Sequence, residues 1–302
     1  MFLIEALAPF NFDLSAQIFS GGDKQIRQYA DGKFSQVLKI NERLVLIILT
    51  SVGTVEHPKI AVEIKSDALL TSDDKLKAAE AIKFIFNLDF DLCSFYGEIK
   101  NEPVMNHIAL LLNGLKNPTT PTVFEALTDS IVEQQISLKV AQTVERRLIK
   151  NFGEKLALDG ETYYVYPMPQ KIAKVSISEL QGCGLSERKA EYLKGSAQLI
   201  VDGKLDLEGL KNNQTPQEIL SKLDAIRGIG IWTAELTMLR GMQKLYAFPA
   251  DDLGLRRVIS KYYCKDKPIK AEEASEIAKL WGRWKGLAAF YLIIAEIKGL
   301  EV

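Results

Sequence analysis

The stretch Leu223-Asp224-Ala225-Ile226-Arg227-Gly228-Ile229-Gly230-Ile231-Trp232-Thr233-Ala234 sets two glycines around one apolar residue. Leu and Ile at helical spacing lead in and Thr-Ala leads out, so the stretch reads as helix, tight turn, helix. Glycine adopts φ > 0 and lets another molecule approach the backbone closely. Ile229 is expected to plug back between the two helices. The amides of Gly228 and Gly230 then stay unpaired at a helix N-terminus, which makes an anion site out of backbone alone. Arg227 stands beside it. Gly-x-Gly is also an ordinary tight turn. A looser copy occurs at Leu180-Gln181-Gly182-Cys183-Gly184, followed by Arg188 and Lys189. These two basic residues are either phosphate contacts or part of a solvated face.

Asp252, twenty-two residues beyond Gly230, falls in the stretch Phe248-Pro249-Ala250-Asp251-Asp252-Leu253-Gly254. Two acids open a predicted helix there. Asp is a preferred N-cap, and a carboxylate at the positive end of a helix gains about 0.3–1 kcal/mol, so capping alone accounts for the pair.

The rest of the chain sets the bounds. It has 302 residues, 47% apolar and 25% charged, the mix of a globular protein of two domains or one large one. No apolar run approaches the eighteen or so residues of a membrane helix, and Met1-Phe2-Leu3-Ile4-Glu5 lacks the basic start of a signal peptide. An intracellular location, cytoplasmic, nucleoid or nuclear, is expected. The three cysteines, Cys93, Cys183 and Cys264, are too few for a four-cysteine iron–sulfur cluster and argue against a disulfide framework or a structural zinc site. With only His57 and His107, histidine-based metal catalysis is not expected. Net charge is −1, divided as −3 over residues 1–100 and +2 over 101–302. Nucleic-acid binding would therefore rest on local geometry rather than on a basic field.

The fold class expected is α+β. Lys33 to Ile40, Arg43 to Val52 and Lys59 to Lys65 read as strands, the first two joined as a hairpin across Asn41-Glu42. Asp74 to Leu88 shows helical spacing through Leu76, Ala79, Ile82 and Phe86. A small antiparallel sheet with helices, residues 1–100, should precede an almost wholly helical region, 101–302. Its predicted helices begin at Pro121 after Thr120, at Ser137, at Ser186 and at Thr215-Pro216 with a capping box to Glu218. Others cover Ile231–Arg240, stopped by Gly241, then Asp252–Tyr262, Ala271–Trp281 and Lys285–Ile297.

The order of hairpin, apolar helix, loop and Pro-x-Asp-Asp resembles the helix-hairpin-helix DNA glycosylase superfamily. Within it, the AlkA-like DNA-3-methyladenine glycosylase II group is the nearest likeness. Asp129-Ser130-Ile131-Val132-Glu133-Gln134-Gln135-Ile136-Ser137, the Trp281-Gly282-Arg283-Trp284-Lys285 stretch and Ala8-Pro9-Phe10 with the sheet-rich start are similar to that group as well. The resemblance is strong over residues 120–297 and loose over 1–100.

The resemblance implies repair by base excision. A damaged nucleotide is turned out of duplex DNA and its N-glycosidic bond is cut, with positive charge developing on the sugar. It assigns Asp252 as the catalytic carboxylate that stabilises this charge, leaving Asp251 as a cap or loop residue. Enzymes of the superfamily with lyase activity carry a Lys nucleophile two residues after the second hairpin glycine. Trp232 stands there, so a monofunctional enzyme using water is expected. Trp232 and Trp284 match base-pocket positions, where aromatic faces favour a cationic alkylated purine such as 3-methyladenine or 7-methylguanine by about 0.5–2 kcal/mol. Trp281 is expected in the core. Arg227, Gly228, Ile229 and Gly230 would grip the DNA backbone, and Gln135 aligns with the wedge that fills the gap left by the base. The family often has an apolar wedge, a role open to Ile136. No cofactor or metal is expected, apart from a monovalent cation that the hairpin carbonyls permit, and the protein should act as a monomer. The competing readings are a glycosylase for oxidised or deaminated bases and a non-catalytic helix-hairpin-helix module.

Overall fold

The computed structural model describes residues 1–21, 23–212 and 214–301. Its N-terminal part is a five-stranded antiparallel sheet of β1 (Phe2–Glu5), β2 (Arg27–Ala30), β3 (Lys33–Ile40), β4 (Arg43–Ser51) and β5 (Lys59–Lys65), in the order β1-β5-β4-β3-β2. The central hairpin pairs Ile40 with Arg43 and turns on Asn41 and Glu42. Both turn residues have positive φ, 47° and 63°, as a two-residue turn of this twist requires. The short helix α1 (Phe12–Phe19) and the longer α2 (Ser72–Ile85) cover one face of the sheet. The buried residues of α2 are Asp74, Ala78, Ile82 and Ile85. Leu76, expected on the apolar face, is 64% exposed, because the docked stripe is rotated from the one that the spacing suggested.

The sheet core holds residues up to Leu88, and a second apolar core begins at Leu92. That core is built by α3 (Leu92–Ile99), α4 (Pro103–Leu111), α5 (Val123–Glu133) and α6 (Leu138–Phe152). The short α7 (Pro169–Ile172) and α8 (Ile177–Gly182), then α9 (Glu187–Val201) and α10 (Pro216–Asp224), extend it. The chain completes it with α11 (Ile231–Gly241), α12 (Leu253–Cys264), α13 (Ala271–Ala278), a 3-10 turn at Lys279–Trp284 and α14 (Lys285–Ile297). Several caps fall where the sequence puts them. Thr215 and Glu218 close a capping box on α10, and the Ser186 hydroxyl accepts from the Lys189 amide. At α5 the N-cap is Thr122, two residues later than expected.

Two expectations need correction. The helical region contains a β-hairpin, β6 (Lys155–Leu158) and β7 (Glu161–Tyr164), turning on Asp159 and Gly160 at φ 53° and 80°. Leu156 of this hairpin is buried with Val37 and Leu46, on the sheet face away from α2. Four-residue strands carry too little periodicity to stand out, although Asp-Gly is a hairpin signal in its own right. Gly241 is not a left-handed helix stop. It belongs to α11, and a Cβ there would lie 2.7 Å from Ala126 Cβ and 3.1 Å from Val123 Cα, so it lets α11 pack closely on α5.

Among the described residues no helix is long and apolar enough to cross a membrane, and no group of three or more His, Cys, Asp or Glu is arranged to hold a metal ion.

Candidate active site

The turn between α10 and α11 has the shape its glycines suggested. Gly228 has φ 87°, and a Cβ on it would collide with the Tyr192 ring of α9, so both backbone and neighbour demand glycine. Gly230 is the N-cap of α11 with φ −87°, and a Cβ there would meet nothing within 4 Å. Its demand is for open space outside the protein. Ile229 is 2% exposed and joins the helical core, as a plug between helices should. No side chain caps α11, and among the described residues the Gly228 and Gly230 amides find no acceptor. Gln134, at the end of α5, braces the turn by donating its amide to the Gly228 carbonyl and to Thr233 Oγ1, both at 3.0 Å.

Asp252 is the N-cap of α12 and partly buried, while Asp251 is exposed. Its Oδ1 accepts the Leu255 amide at 2.7 Å, and its Oδ2 accepts the Trp232 indole N–H at 2.9 Å. Trp232 lies in the first turn of α11, immediately after the hairpin. The hairpin and the carboxylate, twenty residues from that indole in sequence, are thus joined by one hydrogen bond.

Asp252 lines a cavity of about 350 Å³ between the sheet domain and the helices, within the roughly 300–1,000 Å³ of small-molecule sites. Leu236 and Arg240 of α11, Asp129 of α5, Glu145 of α6 and Phe290 of α14 form much of the helical wall. Phe19 and Arg27 close it from the sheet side, the guanidinium lying 3.8 Å from the ring centroid. Arg27 is paired with Glu125 at 2.8 Å, and Arg240 with Glu133 at 2.7 Å. Burial pushes Glu125 up to about 8 against the pull of Arg27. It pushes Glu145 up to about 7, with Arg27 opposing and Glu125 and Glu133 adding. Asp129 is raised well above the usual carboxylate range by burial and by Glu145, although it accepts the Tyr166 hydroxyl.

A family model described as HhH-GPD superfamily base excision DNA repair protein matches residues 128–283, a span that contains the hairpin, Trp232 and Asp252. The chain belongs to this superfamily. Among the relatives of this HhH-GPD protein is the DNA-3-methyladenine glycosylase of Bacillus subtilis (strain 168). It is 32% identical over 248 residues, covering 81% of this chain and 80% of that protein. DNA-3-methyladenine glycosylase 2 of Escherichia coli (strain K12) is 25% identical over 183 residues, 61% of each chain. The solved structure of a 3-methyladenine DNA-glycosylase from Archaeoglobus fulgidus matches along 100% of both chains, with a TM-score of 0.87 at 26% identity. The HhH-GPD protein is therefore a DNA glycosylase of base excision repair, and its sheet domain is part of the shared fold.

Not every residue expected in the HhH-GPD site gathers at Asp252. Trp284 lines a different cavity, between the end of α2 and the start of α14, with Phe84, Tyr246 and Arg283. Phe90 meets its ring edge-on at 5.4 Å, and Arg283 lies over it at 4.5 Å. The kink at Gly282, φ 52°, turns the Trp281-to-Trp284 stretch so that its two indoles diverge. Trp281 is fully buried and donates to the Tyr263 hydroxyl at 3.2 Å. Lys189 is not free for a phosphate. It donates to the Val132 carbonyl at 2.8 Å, at the C-terminal end of α5. Arg227 is exposed and pairs with Glu191 at 2.8 Å. Gln135 is exposed with φ 54° on the turn between α5 and α6, beside exposed Ile136, and it borders a cleft shared with Gly228 and Gly230. Of the carbonyls open to a monovalent cation, those of Ile226 and Gly228 already accept the Ile229 amide and the Gln134 side chain. Sequence reasoning missed Phe19, Arg27, Glu145 and Phe290. None sits in a motif, and the last two are ordinary helix positions until the helices are packed.

Proposed function

We propose that this protein turns an alkylated purine of the 3-methyladenine or 7-methylguanine type out of duplex DNA and hydrolyses its glycosidic bond. The relatives' activity and the cavity beside Asp252 support this reading. The unpaired amides at Gly228 and Gly230 hold a backbone phosphate on the 3′ or 5′ side of the extruded nucleotide, with Arg227 at the rim. Gln135, or Ile136 beside it, fills the space vacated in the duplex. The base enters the cavity and its sugar stops at Asp252, whose carboxylate offsets the charge that develops at C1′ as the bond lengthens. A base already bearing positive charge leaves without a general acid, and water completes the reaction.

The observation that carries the proposal is the 2.9 Å hydrogen bond to Asp252, which lines the cavity, from Trp232, which stands behind the carboxylate rather than among the lining residues, its expected place. It holds the carboxylate in place, and it puts an indole where a lyase would need an amine. No covalent imine with the sugar is then formed. The chemistry belongs to the helical part, 101–302, with the sheet part, 1–100, closing the cavity. The working unit is a monomer with no cofactor.

The test is release of methylated purines from alkylated duplex DNA, with borohydride trapping run in parallel. Base release without a trapped protein–DNA adduct is expected. A trapped adduct would overturn the monofunctional reading. Release of only oxidised or deaminated bases from a panel of lesion duplexes would overturn the substrate class, and salt-sensitive binding without any release would make the protein a binding module.

A further inference from the structure

The cavity wall is out of electrostatic balance. Among its charged side chains, Arg240 is paired with Glu133, Arg146 lies 3.4 Å from Asp23, and Arg27 is committed to Glu125 at 2.8 Å. Asp129, Glu145 and Asp252 have no cation of their own. Asp252 is held by the Trp232 and Leu255 N–H groups, and Asp129 by the Tyr166 hydroxyl. Glu145 has neither a hydrogen-bond nor an ion-pair partner among the described residues. It lies on the inner face of α6, four residues after buried Ala141 and three before buried Leu148, so helix geometry aims it at the cavity. A carboxyl taken from water without a partner is unfavourable unless it is neutralised or meets a positive charge. Glu145 is half-buried, and burial holds its proton up to about 7 although Arg27 and Arg240, both paired elsewhere, pull it down.

We propose that Glu145 is a specificity-determining residue of the base cavity, and that its carboxylate contacts the positively charged ring of the extruded base. The inference rests on the proposed function, in that it takes this cavity as the place where the base is received. Of the three carboxylates without a cation, Asp129 is taken up by the Tyr166 hydroxyl, and Asp252 and Glu145, from different elements, divide the work. One faces charge that forms on the sugar, and the other faces charge that the base brings with it. A cationic purine supplies the counter-ion that Glu145 lacks. A neutral purine leaves the carboxyl either unpaired or protonated, so discrimination arises from a cost to the wrong base as well as a gain for the right one.

Calorimetric titration of the full chain with 1,7,9-trimethylguaninium, whose methylated N1 cannot lose a proton, and with neutral 1,9-dimethylguanine decides the matter. Wild type should prefer the cation by about tenfold or more, and Glu145→Gln, which keeps the shape and removes the charge, should erase most of that preference while neutral-base binding stays within about twofold. Equal preference in the two proteins would overturn the proposal. So would no preference in wild type, or equal weakening of both ligands. In parallel, kcat/KM for 7-methylguanine against hypoxanthine in duplex DNA should shift in the same direction in Glu145→Gln. Absence of release from either duplex by wild type would sink the glycosylase reading alone, since the free-base titrations still decide the role of Glu145.

Discussion

At Asp252 the two carboxylate oxygens have different duties. Oδ1 caps α12 through the Leu255 amide and Oδ2 is tethered to Trp232, so neither can swing away. Asp252→Asn keeps the shape and loses the charge. Base release should fall by about 10²–10³, the usual cost of removing a group that stabilises developing charge. Exposed Asp251→Asn should leave the rate within about twofold, measured as single-turnover release from alkylated duplex. The hairpin glycines make a second contrast at this scale. Gly228→Ala meets both a left-handed φ and the Tyr192 ring, so it should lower stability by roughly 1–3 kcal/mol and weaken DNA binding. Gly230→Ala has an ordinary φ and open space around its Cβ. It should melt like wild type and still bind DNA several-fold more weakly, because the added methyl stands where a phosphate must approach. Thermal melting and fluorescence anisotropy separate the two. Gly-x-Gly was legible in the sequence, but the different reason for each glycine was not, since it depends on a ring thirty-six residues earlier in the chain.

Among the elements, α5 and α11 form the frame on which the site is mounted. α5 is capped by Gln134, which braces the hairpin, and carries Asp129 and Glu133 into the cavity. α11 begins at Trp232's turn and carries Arg240. Their close approach depends on Gly241 against Val123 and Ala126. Gly241→Val should push the two helices apart and cost about 1–3 kcal/mol, as overpacking of a filled contact does. Chemical denaturation measures it, and activity should drop by more than stability alone explains, since Gln134 and Asp129 move with α5. Helix positions and caps in this region were legible from Ser186, Thr215, Pro216 and Asp252. The role of Gly241 was not, because a glycine at the end of an apolar helix looks the same whether it stops the helix or admits a neighbour.

For the whole molecule, a buried contact between an arginine and a glutamate ties the sheet to the helices. Arg27 of β2 reaches Glu125 of α5, and its other guanidinium nitrogen donates to the Phe19 carbonyl at 3.2 Å. Arg27→Met takes away the hydrogen-bond partner of buried Glu125 and should cost about 1–3 kcal/mol, and adding Glu125→Gln should recover part of it in a urea-denaturation cycle. The same burial makes stability depend on pH. The folded protein holds protons on Glu145 up to about 7 and on Glu125 up to about 8, where the unfolded chain has released them at its ordinary glutamate range. Folded protein thus binds more protons than unfolded protein between about pH 4.5 and 8, and stability should fall as pH rises across that window. A loss of several kcal/mol is expected, at about 1.4 kcal/mol per pH unit for each carboxyl that stays protonated, and Glu145→Gln should remove part of the slope. Melting temperatures measured from pH 5 to 8.5 check both.

The chain's local order was enough to reveal a turn built for phosphate, a carboxylate at a helix start, a tryptophan where a lyase needs an amine, and an α+β layout. Those features are encoded within a few neighbouring residues, through glycine's φ freedom, N-cap preference and periodicity. Packing alone put Trp232 on Asp252, sent Trp284 to a separate cavity, laid the β6–β7 hairpin on the back of the sheet and assembled acids from α5 and α6 into one wall. Those outcomes depend on which faces of distant elements meet. A side chain on a helix carries no mark of its eventual neighbour until burial strips its water and leaves it needing a partner.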